Sequence, residues 1–406
     1  MSIFRRVAIV FQANMQYIRN MYQRTLKLDK LISRKSFFLF GPRSTGKTTL
    51  LRTQFPDLEI INLLSSATFI SLAENPSLLQ DIVREQVKNK QVVIIDEIQK
   101  IPELLDEIHN LIESTSVHFI LTGSSARKLK RSGVNLLAGR AWQANLFPLV
   151  SHEIDEFNII RYLQFGGLPQ VYTSDYPEEE LDAYINTYLK EEIQAEALVQ
   201  NQVTFSRFLK IASFSNTEQL NYTNIASDAG VPASTVRSYF TILEDTFIGF
   251  LLESWQESRR RKAIATPKFY LFDTGVANFL RGNIEIREGS SEYGKAFEQF
   301  IAMELRAWLS YRRVKKALRY WRTRSGTEVD FLIGNHTAIE VKSARKIHDK
   351  YLKGLRALKE ENIFLQYIVV SFDKMDRETA DGIRCLHWSS FLKLLWQDSI
   401  ITTMDA

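Results

Sequence analysis

The sequence predicts an α/β protein with one α/β unit near the N-terminus, a helical middle and a second α/β unit at the C-terminus. Three observations carry this expectation. Apolar runs ending in glycine-rich or acidic turns fill the first third of the chain, a helix-turn-helix spacing falls in the middle, and a long amphipathic helix followed by two alternating strands falls in the last third.

The first element is Ser36-Phe37-Phe38-Leu39-Phe40, a short apolar run suited to a buried strand. It runs into Gly41-Pro42-Arg43-Ser44-Thr45-Gly46-Lys47-Thr48-Thr49, a full match to the phosphate-binding pattern GxxxxGK[ST], and Lys47 to Arg52 can open a helix. Gly41 and Gly46 let the backbone wrap an anion with its N–H groups. Lys47 adds a point charge at the outer phosphates, and the Thr48 hydroxyl can ligate Mg²⁺. The helix N-terminus adds a favourable dipole. These nine residues are the candidate cradle for a nucleoside triphosphate, expected to be ATP.

A second apolar run, Val92-Val93-Ile94-Ile95, ends in Asp96-Glu97. Asp96 is the expected partner of Thr48 in the Mg²⁺ sphere, and Glu97 is positioned in sequence to orient or deprotonate the attacking water. A third, Val117-His118-Phe119-Ile120-Leu121, ends in Thr122-Gly123-Ser124-Ser125-Ala126-Arg127, whose Thr122 or Ser124 can sense the γ-phosphate. A further strand and a turn at Pro148 are expected to close this unit between Asn145 and Phe157.

These residues carry a family resemblance. The strings GPRSTGKTTLL, IIDEIQ, LTGSSAR and LLAGRA, with FGGLP (Phe165 to Pro169) and YLKEEIQAEALV (Tyr188 to Val199), occur in the order found in prokaryotic AAA-superfamily ATPases that pair an ATPase core with a C-terminal domain of unknown function. The resemblance runs from about Met21 to near Ser343. It implies ATP hydrolysis, and an arginine that reaches the γ-phosphate of a neighbouring subunit in a homo-oligomer. Arg140 is the candidate by resemblance, as open to being a surface arginine, and Arg127 is a second choice.

With 406 residues and 45% hydrophobic content, the chain has material for two or three packed domains. A single cysteine, Cys385, excludes a disulfide framework, and the six histidines show no metal-ligand spacing. No apolar stretch is long enough for a transmembrane helix, and Val7-Ala8-Ile9-Val10-Phe11 is too short for an export signal. A cytoplasmic protein without a membrane partner is expected, with residues 1–20 an N-terminal extension. The formal charge of +5 permits a polyanion partner without demanding one.

In the middle, the stretch from Glu178 to Val199 has helical spacing. Leu220 to Val236 then reads as helix, Gly230-containing turn and second helix, and Phe247 to Leu252 can add a wing strand. Ser234, Arg237 and Ser238 would face a DNA groove if this module reads DNA. A structural or protein-docking role is the other reading, because the helix carries few basic or amide side chains. The run Arg259-Arg260-Arg261-Lys262 is a linker or a phosphate contact.

In the last third, Phe297, Phe300, Ile301, Leu305 and Trp308 mark a helix with Glu298 at the edge of its apolar face. Glu328 to Ile333 and Thr337 to Lys342 alternate as two strands. The order Glu298, Asp330, Glu340-x-Lys342 resembles the PD-(D/E)XK nuclease core of the restriction-endonuclease fold, with Val329 where that motif has proline. The resemblance implies a metal site of Glu298, Asp330 and Glu340, with Lys342 steering water. Period two puts Glu340 and Lys342 on one strand face. Asp330 joins them only if the connecting loop has three or five residues or the strand is bulged. An active nuclease, an inert nuclease-like scaffold and an exposed charged strand all remain open. Arg306 to Arg324 holds basic residues and no acidic ones, which suits either a phosphate backbone, DNA or RNA, or a solvated face.

The expected architecture is therefore a P-loop NTPase (AAA-like) three-layer core over residues 21–160, a helical and winged-helix middle region over 161–285, and a restriction-endonuclease-like α/β domain over 286–406. The expected function is Mg²⁺-dependent ATP hydrolysis coupled to action on nucleic acid. The alternative is a nucleotide-controlled switch whose C-terminal domains bind a protein partner without cleavage.

Overall fold

The computed structural model describes residues 22–86, 91–127, 129, 137–189, 202–258, 260–282 and 285–401. Five strands, β1 (Ser36–Phe40), β2 (Ile60–Asn62), β3 (Val92–Asp96), β4 (His118–Gly123) and β5 (Ala141–Asn145), form one sheet in the order β2-β3-β4-β1-β5. Every neighbouring pair is parallel. Parallel strands covered on both faces read as continuous apolar runs, which is why β1, β3 and β4 are visible in sequence. The last strand differs from expectation: it ends at Asn145, because Ala141 to Asn145 pair in register with Ser36 to Phe40. Residues after it turn at Ser151–Glu153 instead.

All C-terminal strand ends of this sheet lie on one edge, where the turn after β1 enters helix α1 (Lys47–Gln54). Helix α2 (Leu104–Ser114) covers one face with Leu104, Leu105, Ile108 and Leu111. Across the other face, Leu26, Leu28, Leu31 and Ile32 pack with Leu50 and Leu51 of α1.

The middle region contains helices α3 (Tyr222–Ala229) and α4 (Ala233–Asp245), joined by a turn at Gly230 in the left-handed conformation. The ribbon β6 (Gly249–Leu252) and β7 (Lys268–Leu271) follows, paired antiparallel. Buried Val236, Phe240 and Leu243 of α4 pack on Ile225, Phe208 and Phe269, which leaves Ser234, Arg237, Ser238 and Thr241 outward. Of the expected helix from Glu178 to Val199, the described part is Pro177–Ala183 followed by a wider turn over Tyr184–Leu189. The string YLKEEIQAEALV lies almost wholly outside the described residues, as do Arg259 and residues 1–20.

The C-terminal unit is a mixed sheet of β8 (Leu318–Arg322), β9 (Glu328–Ile333), β10 (Thr337–Lys342), β11 (Gln366–Ser371), β12 (Arg377–Glu378) and β13 (Arg384–His387), ordered β12-β13-β11-β10-β9-β8. Strands β10, β11 and β13 run parallel, and β8, β9 and β10 antiparallel. The 21-residue helix α5 (Ser291–Tyr311) crosses one face. Its core is shared with residues far upstream, among them Leu149, Tyr162, Leu163 and Tyr270, so the units are packed together. Among the described residues no helix is long and apolar enough to cross a membrane.

One buried acid in this shared core sets a pH dependence. Glu304 of α5 accepts from the Ser151 N–H at 2.6 Å and from Trp396 Nε1 at 2.7 Å, yet burial pushes its carboxyl up to about 7. A group whose folded pKa exceeds its unfolded value stabilises fully below the unfolded value and loses that contribution as pH rises through the folded one. The Glu304 share of stability, read by chemical denaturation as wild type minus Glu304→Gln, should therefore fall from about pH 4.5 and level off above about pH 7, a loss on the order of 3 kcal/mol. A difference that stays flat across that range would assign the pH dependence to other groups.

Candidate nucleotide site

The loop Gly41–Gly46 lies at the C-terminal edge of the parallel sheet. Gly41 is required by space: a Cβ there would meet Leu146 O at 2.3 Å. Ser44 and Gly46 both have positive φ, 61° and 92°, the backbone habit of anion-binding loops, and α1 begins directly behind them. Thr45 Oγ1 donates to Pro42 O at 2.8 Å and stiffens the turn. From outside, Arg24 Nη1 donates to Thr45 O at 2.9 Å, and Arg24 itself is paired with buried Glu153 at 3.0 Å. Nothing in the sequence singles out Arg24, because both partners lie far along the chain.

Lys47 curls back over the loop, donating to Gly41 O at 2.8 Å and Pro42 O at 3.1 Å. Burial pulls its ammonium below the ordinary lysine range, with Glu97 and Asp96 pulling the other way. Thr48 Oγ1 donates to Asp96 Oδ2 at 2.8 Å, and Thr122 Oγ1 to Asp96 Oδ1. A hydroxyl and a carboxylate already in contact at the mouth of a phosphate loop fit Mg²⁺, which takes one or two protein oxygens and completes its shell with water and phosphate. Thr48 and Asp96 are the residues that would hold it.

Glu97 has φ 64°, a left-handed conformation rarely adopted by a side-chain-bearing residue. Its own N–H donates to Thr122 Oγ1 at 3.0 Å, which holds the turn, and Gln99 Nε2 donates both to Glu97 Oε2 and to Ser124 Oγ (3.0 Å). Backbone strain of this kind costs roughly 1–3 kcal/mol and gathers at functional sites. Thr122 and Ser124, expected as phosphate sensors, thus also fix the two acids. Gln99 closes the string IIDEIQ, but its role emerges only when β3 and β4 lie side by side.

The arginines separate clearly. Arg140 precedes β5, at the sheet edge opposite the phosphate loop, and donates to Glu113 at 2.9 Å. It cannot reach the nucleotide of its own chain. Arg127 is committed elsewhere, paired with Asp245 at the end of α4 at 3.2 Å, while the Ala126 N–H donates to Asp245 O at 3.1 Å. Phe247, just beyond, stacks on Phe40 of β1 with centroids 5.5 Å apart. The middle region therefore lies against the nucleotide edge.

The C-terminal candidates meet in one pocket. The β9–β10 loop has three residues, Gly334, Asn335 and His336, and the register Ile333↔Thr337, Phe331↔Ile339 continues to set Asp330 opposite Glu340. Lys342 Nζ lies 2.5 Å from Glu340 and 3.7 Å from Asp330, and the Val341 N–H donates to Asp330 Oδ2 at 2.8 Å. The carboxylates do not form a coordination set, however, because Lys268 of β7 reaches in among them. Its Nζ is 3.0 Å from Glu298 and 3.9 Å from Asp330, and it also contacts Glu328. Among the described residues no group of three or more His, Cys, Asp or Glu is arranged to hold a metal ion. The grouping of Glu298, Asp330 and Glu340 as metal ligands therefore does not fit this geometry. Burial and neighbouring Asp330 push the Glu340 carboxyl up while Lys342 pulls it back down, and Lys268, Lys342 and Arg322 face Glu298, Glu328, Asp330 and Glu340. Lys268, Tyr270 and Glu328 were not expected here; a lysine inside the buried run Lys268-Phe269-Tyr270-Leu271 is the available signal in sequence.

The basic run likewise resolves into separate contacts. Arg306 is stacked over Phe250 at 3.6 Å, Arg312 pairs with Asp398, Arg319 with Glu257 and Arg322 with Glu328. Trp308, Tyr320 and Trp321 are fully buried. The run is not one open cationic face, because a strand and a helix end split it between several partners.

The first site lies within a stretch of chain that matches a known family. Residues 33–155 match the family described as AAA domain, residues 156–286 a domain of unknown function (DUF8612), and residues 293–391 another domain of unknown function (DUF4143). The N-terminal unit is thus a P-loop domain of the AAA type. Uncharacterized proteins of Mycobacterium tuberculosis and Mycobacterium bovis are each 27% identical to this chain over 306 residues, covering 73% of it and 66% of theirs. An uncharacterized protein of Methanocaldococcus jannaschii is 23% identical over 401 residues, covering 87% of this chain and 86% of its own. A solved Signal Transduction ATPase with Numerous Domains (STAND) protein with a tetratricopeptide repeat sensor, from Pyrococcus horikoshii, has 15% identity and a TM-score of 0.25, with 72% of this chain and 47% of that chain covered. The chain spans about two thirds of the mycobacterial proteins and about half of that structure.

Proposed function

We propose that the protein is a Mg²⁺-dependent ATPase that works as a nucleotide-controlled switch. ATP is held by the Gly41–Thr49 loop, with Lys47 on the outer phosphates and Thr48 and Asp96 on the metal. Glu97 takes the proton of the attacking water. The bound Mg²⁺ would neutralise charge on the β- and γ-phosphates. Arg140 serves a neighbouring copy in a homo-oligomer, since its own loop is out of reach. The domains beyond residue 160 carry the response to a protein partner.

The observation that supports the switch is a single stretch of chain, Thr122 to Arg127. One end holds Asp96 and Glu97; the other is ion-paired to Asp245 of α4. A change at the γ-phosphate that moves Thr122 or Ser124 therefore pulls on the middle region. Hydrogen exchange over residues 237–247 is expected to differ between Mg²⁺–ATP and Mg²⁺–ADP. Asp245→Ala should remove about 1 kcal/mol of the restraint, roughly a fivefold rise in exchange there, and shrink the difference between nucleotides. Equal exchange with both nucleotides would leave the switch without support.

Action on nucleic acid is the second reading. It is favoured by the helix-turn-helix arrangement with Ser234, Arg237 and Ser238 outward, and by Asp330 lying opposite Glu340. It is disfavoured by Arg237 being laid over the Tyr222 ring at 4.1 Å, and by the lysine among the carboxylates. Cleavage by the C-terminal domain has the weaker support.

A further inference from the structure

Lys268 is 3% exposed, and its ammonium lies among carboxylates from two other elements: Glu298 of α5, and Glu328 and Asp330 of β9. Tyr270, two residues on and so on the same strand face, donates to Glu298 Oε1 at 2.6 Å. The ring of Tyr320 lies 5.5 Å from the same ammonium. Next to this group, Glu340 Oε2 is buried and has no hydrogen-bond partner, although the other oxygen of that carboxylate meets Lys342. The pocket thus has oxygen donors converging on a cation, and the cation is a side chain of the chain itself.

A divalent ion among the same oxygens would stand within contact distance of a buried ammonium. The two like charges cannot share the space, and driving Lys268 out would strand it without an anion in the protein interior. The lysine belongs to the β6–β7 ribbon, whereas the carboxylates belong to the C-terminal unit, so the same contact fastens one to the other.

We propose that Lys268 is a resident cation that takes the place of a metal ion in the Glu298–Asp330–Glu340 pocket, making it a charge clamp between the β6–β7 ribbon and the C-terminal sheet and excluding divalent ions while the lysine is seated. This goes beyond the ATPase reading and stands apart from it, since neither nucleotide nor turnover enters the test.

The test is a titration of nucleotide-free full-length protein with Mn²⁺, followed by the loss of free-ion electron paramagnetic resonance signal. Wild type, Asp330→Asn, Lys268→Ala and Lys268→Ala/Asp330→Asn are compared. Any Mn²⁺ held at the phosphate loop is common to all four. Wild type and Asp330→Asn are expected to bind the same amount. Lys268→Ala should gain one site per chain, lost again in the double variant, and its melting temperature should rise with Mn²⁺ by more than the wild type's does. A wild-type site that disappears in Asp330→Asn would overturn the proposal, as would a folded Lys268→Ala that gains none. Should Lys268→Ala fail to fold, Lys268→Met keeps the volume, and the comparison of wild type with Asp330→Asn still decides whether the seated lysine excludes the ion.

Discussion

Glu97→Gln is expected to slow ATP hydrolysis by about 10²- to 10⁴-fold while nucleotide binding stays close to wild type, the range a positioned general base supplies. Glutamine keeps the length and shape of the side chain and can still accept from Gln99, so the turn and the phosphate loop should stand. It cannot take a proton. The prediction is specific because Glu97 is held in a left-handed backbone conformation with its N–H on Thr122 Oγ1, an arrangement that aims the carboxylate and that core packing does not require. Phosphate release and binding of a fluorescent ATP analogue, measured on one preparation, separate the two effects. Unaltered turnover would move the base elsewhere.

Lys47→Ala should act earlier, on binding itself. The side chain is 6% exposed and its ammonium makes two hydrogen bonds to loop carbonyls, so it is held over the loop. Removing a buried charge that meets an anionic ligand costs about 3 kcal/mol or more, roughly a hundredfold in affinity or worse. The loss is compounded because Gly41 O and Pro42 O give up their donor, which loosens the cradle as well as discharging it. Turnover should fall with binding, unlike in Glu97→Gln.

The contrast between the two sites shows what a sequence can carry. The phosphate loop is a contiguous string, and its conformation follows from local rules: glycine where Leu146 crowds the backbone, a helix start behind Gly46, an apolar strand before it. The acid pair is legible for the same reason, at the end of a buried parallel strand. In the C-terminal unit, strand boundaries are legible because alternation is local, and the condition on loop length follows from period two alone. The three-residue loop at Gly334–His336 meets it.

What sequence does not supply is who else enters a pocket. Lys268 stands well before Glu298 and Asp330 in the chain, and its place depends on how the β6–β7 ribbon packs on α5 and β9. Arg24 and Glu153 pair across the N-terminal unit in the same way. The basic run from Arg306 to Arg324 is one-sided in composition, but charge counting cannot see that Asp398, Glu257 and Glu328 arrive from elsewhere. The expected strand after Asn145 fails on register: β1 takes Ala141 to Asn145 as its partner.

The central claim is that the Gly41–Thr49 loop binds ATP with Mg²⁺ through Lys47. A calorimetric titration of Mg²⁺–ATP into wild type and into Lys47→Ala tests it most directly. The account predicts saturable binding near one nucleotide per chain in the wild type and its loss in a variant that remains folded; no saturable binding in the wild type, or equal binding in both, would contradict it.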